Sequence, residues 1–502
     1  MGAGHNGLIA AAYLAKAGKK VAIFEAAPEV GGATASVRAF PEFDARLSRY
    51  SYLVSLLPDQ ICRDLNLQFE SISRDVSSYT PYLSGGKSGG LFVARHWDQR
   101  SSESFAQLTG SAEAGAAWQD FYGQISKFAE KIAPTMLGPL PTRSELKSEI
   151  GMDEMWDLLI EMPIGAAIDR YFTDDVVKGV VLTDALIGTH TSAYDLAANR
   201  CFLYHLIGNG TGEWKVPRGG MGALVKELVE LCTSLGVEIH AKATVVALMP
   251  SESSVTVQIE SGEEFLADYL LSNAAPHLLA KLMGEIIPPS LEGAQLKINM
   301  LVERLPRLKS GADPALAFAG TFHIAESFTQ LERAFKVSEQ GELPSPLPSE
   351  IYCHTLSDPS ILSEDLQERG FHTLTLFGLH IPAKLFDGNN DAMRERAQAA
   401  AFAALNEYLV DPIESVIAKN SDGSLCVESK TPLDLEEAIS LPRGNIFHRE
   451  LAFPFREDGT APSWGVETSH PRILICGAGA IRGGGVSGIP GHNAAMAILQ
   501  KD

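Results

Sequence analysis

Close cysteine pairs, long apolar runs and an excess of positive charge are all missing from this chain. Each absence disfavours a class of function. The six cysteines (Cys62, Cys201, Cys232, Cys353, Cys426 and Cys476) stand far apart with no C-x-x-C spacing. That argues against a redox disulfide and a thiolate metal site, and for structural thiols in a reducing compartment. Cytoplasm is the expected location, or the mitochondrial matrix in a eukaryote. No apolar run approaches the roughly 20 residues that cross a bilayer, and no signal-like segment is present. No integral membrane segment is expected, while contact with a membrane surface stays open. Lysine and arginine number 41 against 62 acidic residues, a net charge of −21. Nucleic acid is therefore not an expected partner. The 13 histidines are scattered singly, so no metal site is expected, and no G-x-S-x-G nucleophile elbow occurs.

One further absence is local. The chain opens "MGAGHNGLIA", a G-x-G-x-x-G loop with no strand before it. Gly2 permits the tight turn, Gly4 lets backbone approach a pyrophosphate, and Gly7 allows close helix–strand packing. The Ala-rich helix that follows would aim its N-terminal N–H groups at phosphates. The strand "KKVAIFEA" then ends in Glu25, close to the distance at which a βαβ unit places its ribose acid. Met1 stands where the last residue of a central strand belongs. A mis-assigned start is the expected reason for the missing segment.

What is present is glycine, at both ends. "PEVGGATAS" supplies Gly31 and Gly32, a second close backbone approach such as an isoalloxazine-bearing dinucleotide needs. The last segment, "PRILICGAGAIRGGGVSGIPGHNAAMAILQKD", reads as a buried strand, a glycine-dense loop and a final helix from about His492. Too little chain follows for a second complete nucleotide unit, so this loop should close on the cofactor held by the first. One fingerprint plus this loop points to FAD without a separate NAD domain. Between the ends, Leu224 to Cys232 repeat near 3.6 residues, "VEIHA" reads as a strand, and Val255, Val257 and Ile259 alternate. "FLADYLLSNAAP" reads as one returning strand. The expected fold is α/β: a Rossmann-type FAD-binding domain with a three-layer parallel sheet (1–75, 205–290 and 430–502) lacking its first strand. An inserted α+β substrate domain occupies 75–205 and 290–430.

Four segments in order, "GAGHNGLIAAAYLAKAGKKVAIFEAAPEVGGA", "WKVPRGGMGAL", "GNIFHRELAF" and "CGAGAIRGGGVSGIPGHNAA", resemble the phytoene-desaturase-like FAD-dependent oxidoreductases. The nearest branch is the one called pyridine nucleotide-disulfide oxidoreductase domain-containing protein 2, with flavin monoamine oxidases more distant. The resemblance implies that Gly2, Ala3, Gly4, Asn6, Gly7, Glu25 and Ala26 hold the ADP part of FAD. Gly31, Gly32 and Ala33 would approach the pyrophosphate, Val245 the adenine, and Gly477, Val486, Ser487 and Gly488 the ribityl chain and ring. Ile481-Arg482 departs from the pairs usual before the glycine run. The implied activity is removal of a hydride from a carbon substrate, with oxygen or a quinone as electron acceptor. A small apolar, isoprenoid or carotenoid-like substrate leads. An amine is the alternative, although "AIRGGGVSG" offers no aromatic pair to face a flavin. A flavin-binding regulatory protein with little turnover is the other reading. No residue stands out as catalytic, since the flavin carries the chemistry.

Overall fold

Every residue from Asn6 to Leu14 is buried, so the opening helix α1 (His5–Lys16) has no solvent face over that stretch. In this computed structural model, which describes residues 1–501, α1 leads to β1 (Ala22–Phe24). The chain then leaves for a hairpin, β2 (Val76–Ser84) and β3 (Lys87–Ala94). Helices α2 (Glu113–Ile132), α3 (Asp175–Thr183) and α4 (Leu196–Ile207) follow. It returns through α5 (Met221–Ser234) and β4 (Glu238–His240). Next come β5 (Val245–Pro250), β6 (Val255–Ile259), β7 (Glu264–Ala267) and β8 (Leu270–Ser272). A second excursion builds β9 (Leu296–Val302), β10 (Thr321–Ile324), α6 (Phe328–Glu339), β11 (Ser349–Tyr352), β12 (His372–Gly378) and β13 (Val427–Lys430). The chain ends on β14 (Ile473–Ile475) and α7 (Ile489–Leu499).

The first layer is parallel. β1 pairs with β4, and β8 with β14. Between these two pairs lies a slot one strand wide, in which only Met1 and Gly2 stand. Met1 donates to the Leu271 carbonyl at 2.9 Å and accepts from the Asn273 N–H at 2.9 Å, the ladder pattern of a parallel strand. Gly2 donates to the Phe24 carbonyl on the other side at 2.8 Å. Met1 and Gly2 thus bridge the two strand pairs at the centre of the sheet. Its buried residues join those of α1, α5 and α7 in one core.

Both excursions contribute to one seven-stranded sheet, in the order β13-β9-β12-β11-β10-β2-β3. Its pairings are antiparallel except β10 with β2. β9 is buried along its whole length, so its apolar residues do not alternate with exposed ones. A second core lies against this sheet and a third fills the helices α2 to α4.

Two expectations need correction. "FLADYLLSN" is not one strand: β7 belongs to the antiparallel meander β7-β6-β5, whereas β8 joins the parallel layer. The chain breaks at Asp268 and Tyr269 because it changes sheets there. The last helix begins at Ile489, not His492, because Pro490 fits its first turn, where no N–H partner is needed.

Candidate functional site

The two glycine loops near the N-terminus lie side by side. Gly31 donates to the Ala3 carbonyl at 2.9 Å, and Gly31 bridges Gly4 in parallel. A methyl group on Gly7 would stand 2.3 Å from the Gly2 carbonyl oxygen, and Gly31 has φ 121°. Neither position tolerates another residue without movement. The N-terminus of α1 has no side-chain cap and no acid in its first turn. Its first intrahelical bond is from Leu8 to the Gly4 carbonyl. The N–H groups of His5, Asn6 and Gly7 therefore point outward at the positive end of the helix, a ready anion site. The buried Oδ1 of Asn6 also lacks a partner.

Glu25 stands at this lip. Its Oε2 accepts from the Ala3 N–H at 2.7 Å and its Oε1 from the Ala27 N–H at 2.9 Å. Each oxygen keeps a further acceptor position for a ribose hydroxyl. Ala243 donates to the Glu25 carbonyl at 2.8 Å, which brings Val245 at the start of β5 to the same edge. Ala33 accepts from both the N–H and the hydroxyl of Ser51. Ala26 is exposed at the rim.

The C-terminal loop meets this lip from the other side. Cys476 donates to the Ser272 carbonyl, and a Cβ on Gly477 would lie 2.6 Å from the Asn273 carbonyl oxygen. Val486 and Ser487 are buried, and the Ser487 hydroxyl accepts from the Ile489 N–H at 3.3 Å to cap α7. Gly488 takes φ 71° there. Arg482, the departure noted in the sequence, is 1% exposed. It donates to the carbonyls of Thr135, Gly138 and Trp464. Burial lowers its pKa to about 10. It fastens the loop to the chain after α2. His448, which sequence reasoning passed over, lies near both loops with φ 64°. It helps, after burial itself, to lower the pKa of His5 to about 4.

A cavity of about 510 Å³ lies between the sheet and α2, α3 and α4. Arg74, Asp184, His323, Glu350 and Tyr352 give it a charged, hydroxyl-bearing floor. Burial, then the Glu350 charge, pushes Asp184 up to about 8. Burial likewise raises Glu350 to about 7 against the opposing hydrogen bonds of Tyr352 and Thr183. Lys297, Phe377, Glu350 and His323 stand directly opposite one another across β9, β12, β11 and β10, so they share one face of the sheet. Lys297 is 2% exposed, and its Nζ donates to the carbonyls of Ser48 and Tyr50 at 3.2 and 2.7 Å. Desolvation drives its pKa well down. The rings of Tyr52 and Tyr352 lie 4.7 Å apart. Tyr52 comes from an N-terminal loop and Tyr352 from β11. A buried Lys297 inside the apolar run "LKINMLV" was the signal in the sequence that could have found this face.

A helix end with outward N–H groups, a carboxylate at its lip and a glycine-dense C-terminal loop meet at one place, apart from the cavity between sheet and helices. Residues 1–59 match the NAD(P)-binding Rossmann-like domain, and residues 59–336 match flavin containing amine oxidoreductase. The chain belongs to the flavin containing amine oxidoreductases, and its cofactor is FAD. An uncharacterized protein of Mycobacterium tuberculosis is 43% identical over 519 residues, 99% of this chain and 96% of its own. Pyridine nucleotide-disulfide oxidoreductase domain-containing protein 2 of Mus musculus is 29% identical, covering 100% and 92%. Among solved structures, a putrescine oxidase variant superposes with TM-score 0.59 at 18% identity, covering 100% and 98%. Cyclohexylamine oxidase from Brevibacterium oxydans gives 0.54 at 11%, covering 100% and 98%. The family model matched is that of the flavin containing amine oxidoreductases. Among the described residues no helix is long and apolar enough to cross a membrane.

Proposed function

We propose that this FAD-dependent oxidoreductase oxidises a small amine bearing a second polar group, held in the cavity above the sheet. The observation that carries this reading is the charged floor, with Asp184 and Arg74 both lining one cavity. When bound, FAD supplies the two-electron acceptor. The outward N–H groups of α1 would hold its pyrophosphate, Glu25 its ribose, and the loop from Gly477 to Gly488 its remaining length. Asp184 would receive the ammonium group and take its proton, a task suited to an acid that titrates near neutrality. Arg74 would face the second polar group. Tyr352, which lines the cavity and packs on Tyr52, would orient the carbon being oxidised and exclude water. Structural neighbours that act on amines, putrescine oxidase among them, support this reading by fold alone.

The apolar, isoprenoid or carotenoid-like substrate is the second reading. Its support is the helical wall of the same cavity, where Trp118, Tyr122, Ile125 and Val180 are apolar. Six free cysteines support a reducing compartment, the cytoplasm. The test is anaerobic reduction of the purified holoenzyme by amines, amino acids and isoprenoids, read by bleaching of the flavin band. Reoxidation by oxygen or a quinone then identifies the acceptor. Bleaching by isoprenoids alone would replace the first reading by the second. Reduction by none of them would favour a regulatory flavoprotein.

A further inference from the structure

At the cavity floor, three side chains from two backbone segments converge. His323 on β10, Glu326 in the turn after it and Glu350 on β11 each offer a ligand atom, and these lie within 4.8 Å of one another. All three residues are at most 3% exposed. Glu326 is 1% exposed, and neither of its carboxylate oxygens has a hydrogen-bond partner. Thr183 sits beside it, but its hydroxyl donates to Glu350 Oε1 at 3.0 Å. A buried carboxylate with no donor is costly, and buried charges are ordinarily paired or on a metal.

The surroundings fit a cation. His323 Nδ1 lies 2.8 Å from the Thr80 hydroxyl. With that nitrogen carrying the proton, the Nε2 lone pair is free and faces Glu350 Oε1 4.0 Å away. Glu350 accepts from the Thr183 hydroxyl on one oxygen and from the Tyr352 hydroxyl on the other. Orientation of a ligand histidine through its other nitrogen, and of a ligand carboxylate by hydroxyl donors, is the usual outer support of a metal site. The local backbone turns Glu326 inward. Ala325 takes φ 52°, and a Cβ on Gly179 of α3 would stand 1.8 Å from the Glu326 carbonyl oxygen. Metal–ligand bonds of about 2.0–2.2 Å place ligands about 3–4 Å apart, so the most distant of these atoms need close by about 1–2 Å.

We propose that His323, Glu326 and Glu350 bind one divalent first-row cation, Zn²⁺ or Mn²⁺, which ties β10 to β11 beneath the substrate cavity. One nitrogen and two carboxylates suit these ions. Glu326 stands outside the cavity lining, whereas His323 and Glu350 belong to its floor, so the ion would brace that floor and leave Asp184 and Arg74 to the substrate. Its binding is read without any substrate.

The test uses holoenzyme with FAD retained, stripped by a chelator and dialysed against Zn²⁺ or Mn²⁺ alone. One equivalent of one of these ions should bind, with a melting temperature that rises and then saturates with ion concentration. Glu326→Gln, checked for unchanged FAD content and far-UV spectrum, should weaken binding by about 100-fold or more, since even outer-shell losses cost about 10–100-fold. Thr80→Val, which frees His323 Nδ1, should weaken it by about tenfold and serves if Glu326→Gln does not fold. Failure of the stripped wild type to take up either ion overturns the proposal. So does equal affinity in a folded Glu326→Gln protein.

Discussion

Lys297 sits with its Nζ 4.3 Å from the centroid of the Tyr52 ring, sealed in the sheet face that also carries Glu350 and His323. Among the described residues no carboxylate lies within ion-pair distance of it. Glu428, on the adjoining strand, is engaged through both oxygens by Arg49. Burying an ammonium on two carbonyls and a ring costs folding energy, and strongly perturbed groups of this kind cluster at functional sites. Lys297→Met is therefore expected to leave FAD bound while slowing flavin reduction by substrate at least about tenfold, as loss of a placed proton donor or acceptor does. Stopped-flow reduction of mutant and wild type at equal flavin content decides the matter. Equal rates would make Lys297 structural only.

Glu25→Ala should weaken FAD retention about ten- to a hundredfold, since a lost charge-assisted hydrogen bond is worth about 1.5–3 kcal/mol. It also frees the N–H groups of Ala3 and Ala27. Flavin content after dialysis reads the effect, and unchanged occupancy would exclude Glu25 from the ribose contact.

Asp184→Asn should raise KM for an amine substrate while leaving the holoenzyme folded. Wild-type kcat/KM for that substrate should climb as pH rises through about 8, because the carboxylate must be ionised to accept the ammonium. The limb should vanish in the mutant. A mutant profile that keeps it would assign the titration elsewhere.

His190 and His380 give the molecule an acid-sensitive point. Burial lowers them to about 4 and about 3, and their rings lie 5.8 Å apart. Both are depressed below the unfolded value. Their neutral forms are thus accommodated above pH 6.5, and stability is lost as pH falls from there toward the folded values. Within that window each histidine that the unfolded chain protonates costs about 1.4 kcal/mol per pH unit. His380→Asn, a residue that tolerates its φ of 55°, should flatten the fall in melting temperature between pH 6.5 and 4. An unchanged slope would place the acid sensitivity in other groups.

Residues of regular Val/Ile type placed before Met1 should enter the slot between β1 and β8 and raise both melting temperature and flavin content. Each such side chain buried is worth about 1.5–3 kcal/mol. Comparing the extended and present chains by thermal melt and bound flavin measures this. Identical values would mean that the gap is already compensated.

The nucleotide half was legible because its demands are local. Gly2, Gly7 and Gly31 are forced by positive φ or by atoms a Cβ would strike, and glycine spacing records such demands directly. Glu25 follows from strand length. The cavity was not legible because its residues meet only through sheet register: Lys297 on β9 shares a face with Glu350 and His323 because β9 pairs with β12, three strands later in the chain. Tyr52 and Tyr352 meet from 300 positions apart. Arg482 read as a departure from a pattern, and its three carbonyl partners come from segments that no spacing links to it.

Gly491 of α7 comes so close to α1 that a Cβ there would stand 2.2 Å from the Asn6 carbonyl oxygen. The helix that presents N–H groups to the cofactor thus has its neighbour supplied from the far end of the chain. During synthesis, the opening loop leaves the ribosome long before that neighbour exists. Contacts of such sequence separation form late and slowly. A cradle built on this contact would be complete only after nearly the whole polypeptide is made, and flavin capture by it would close biogenesis, not nucleate it.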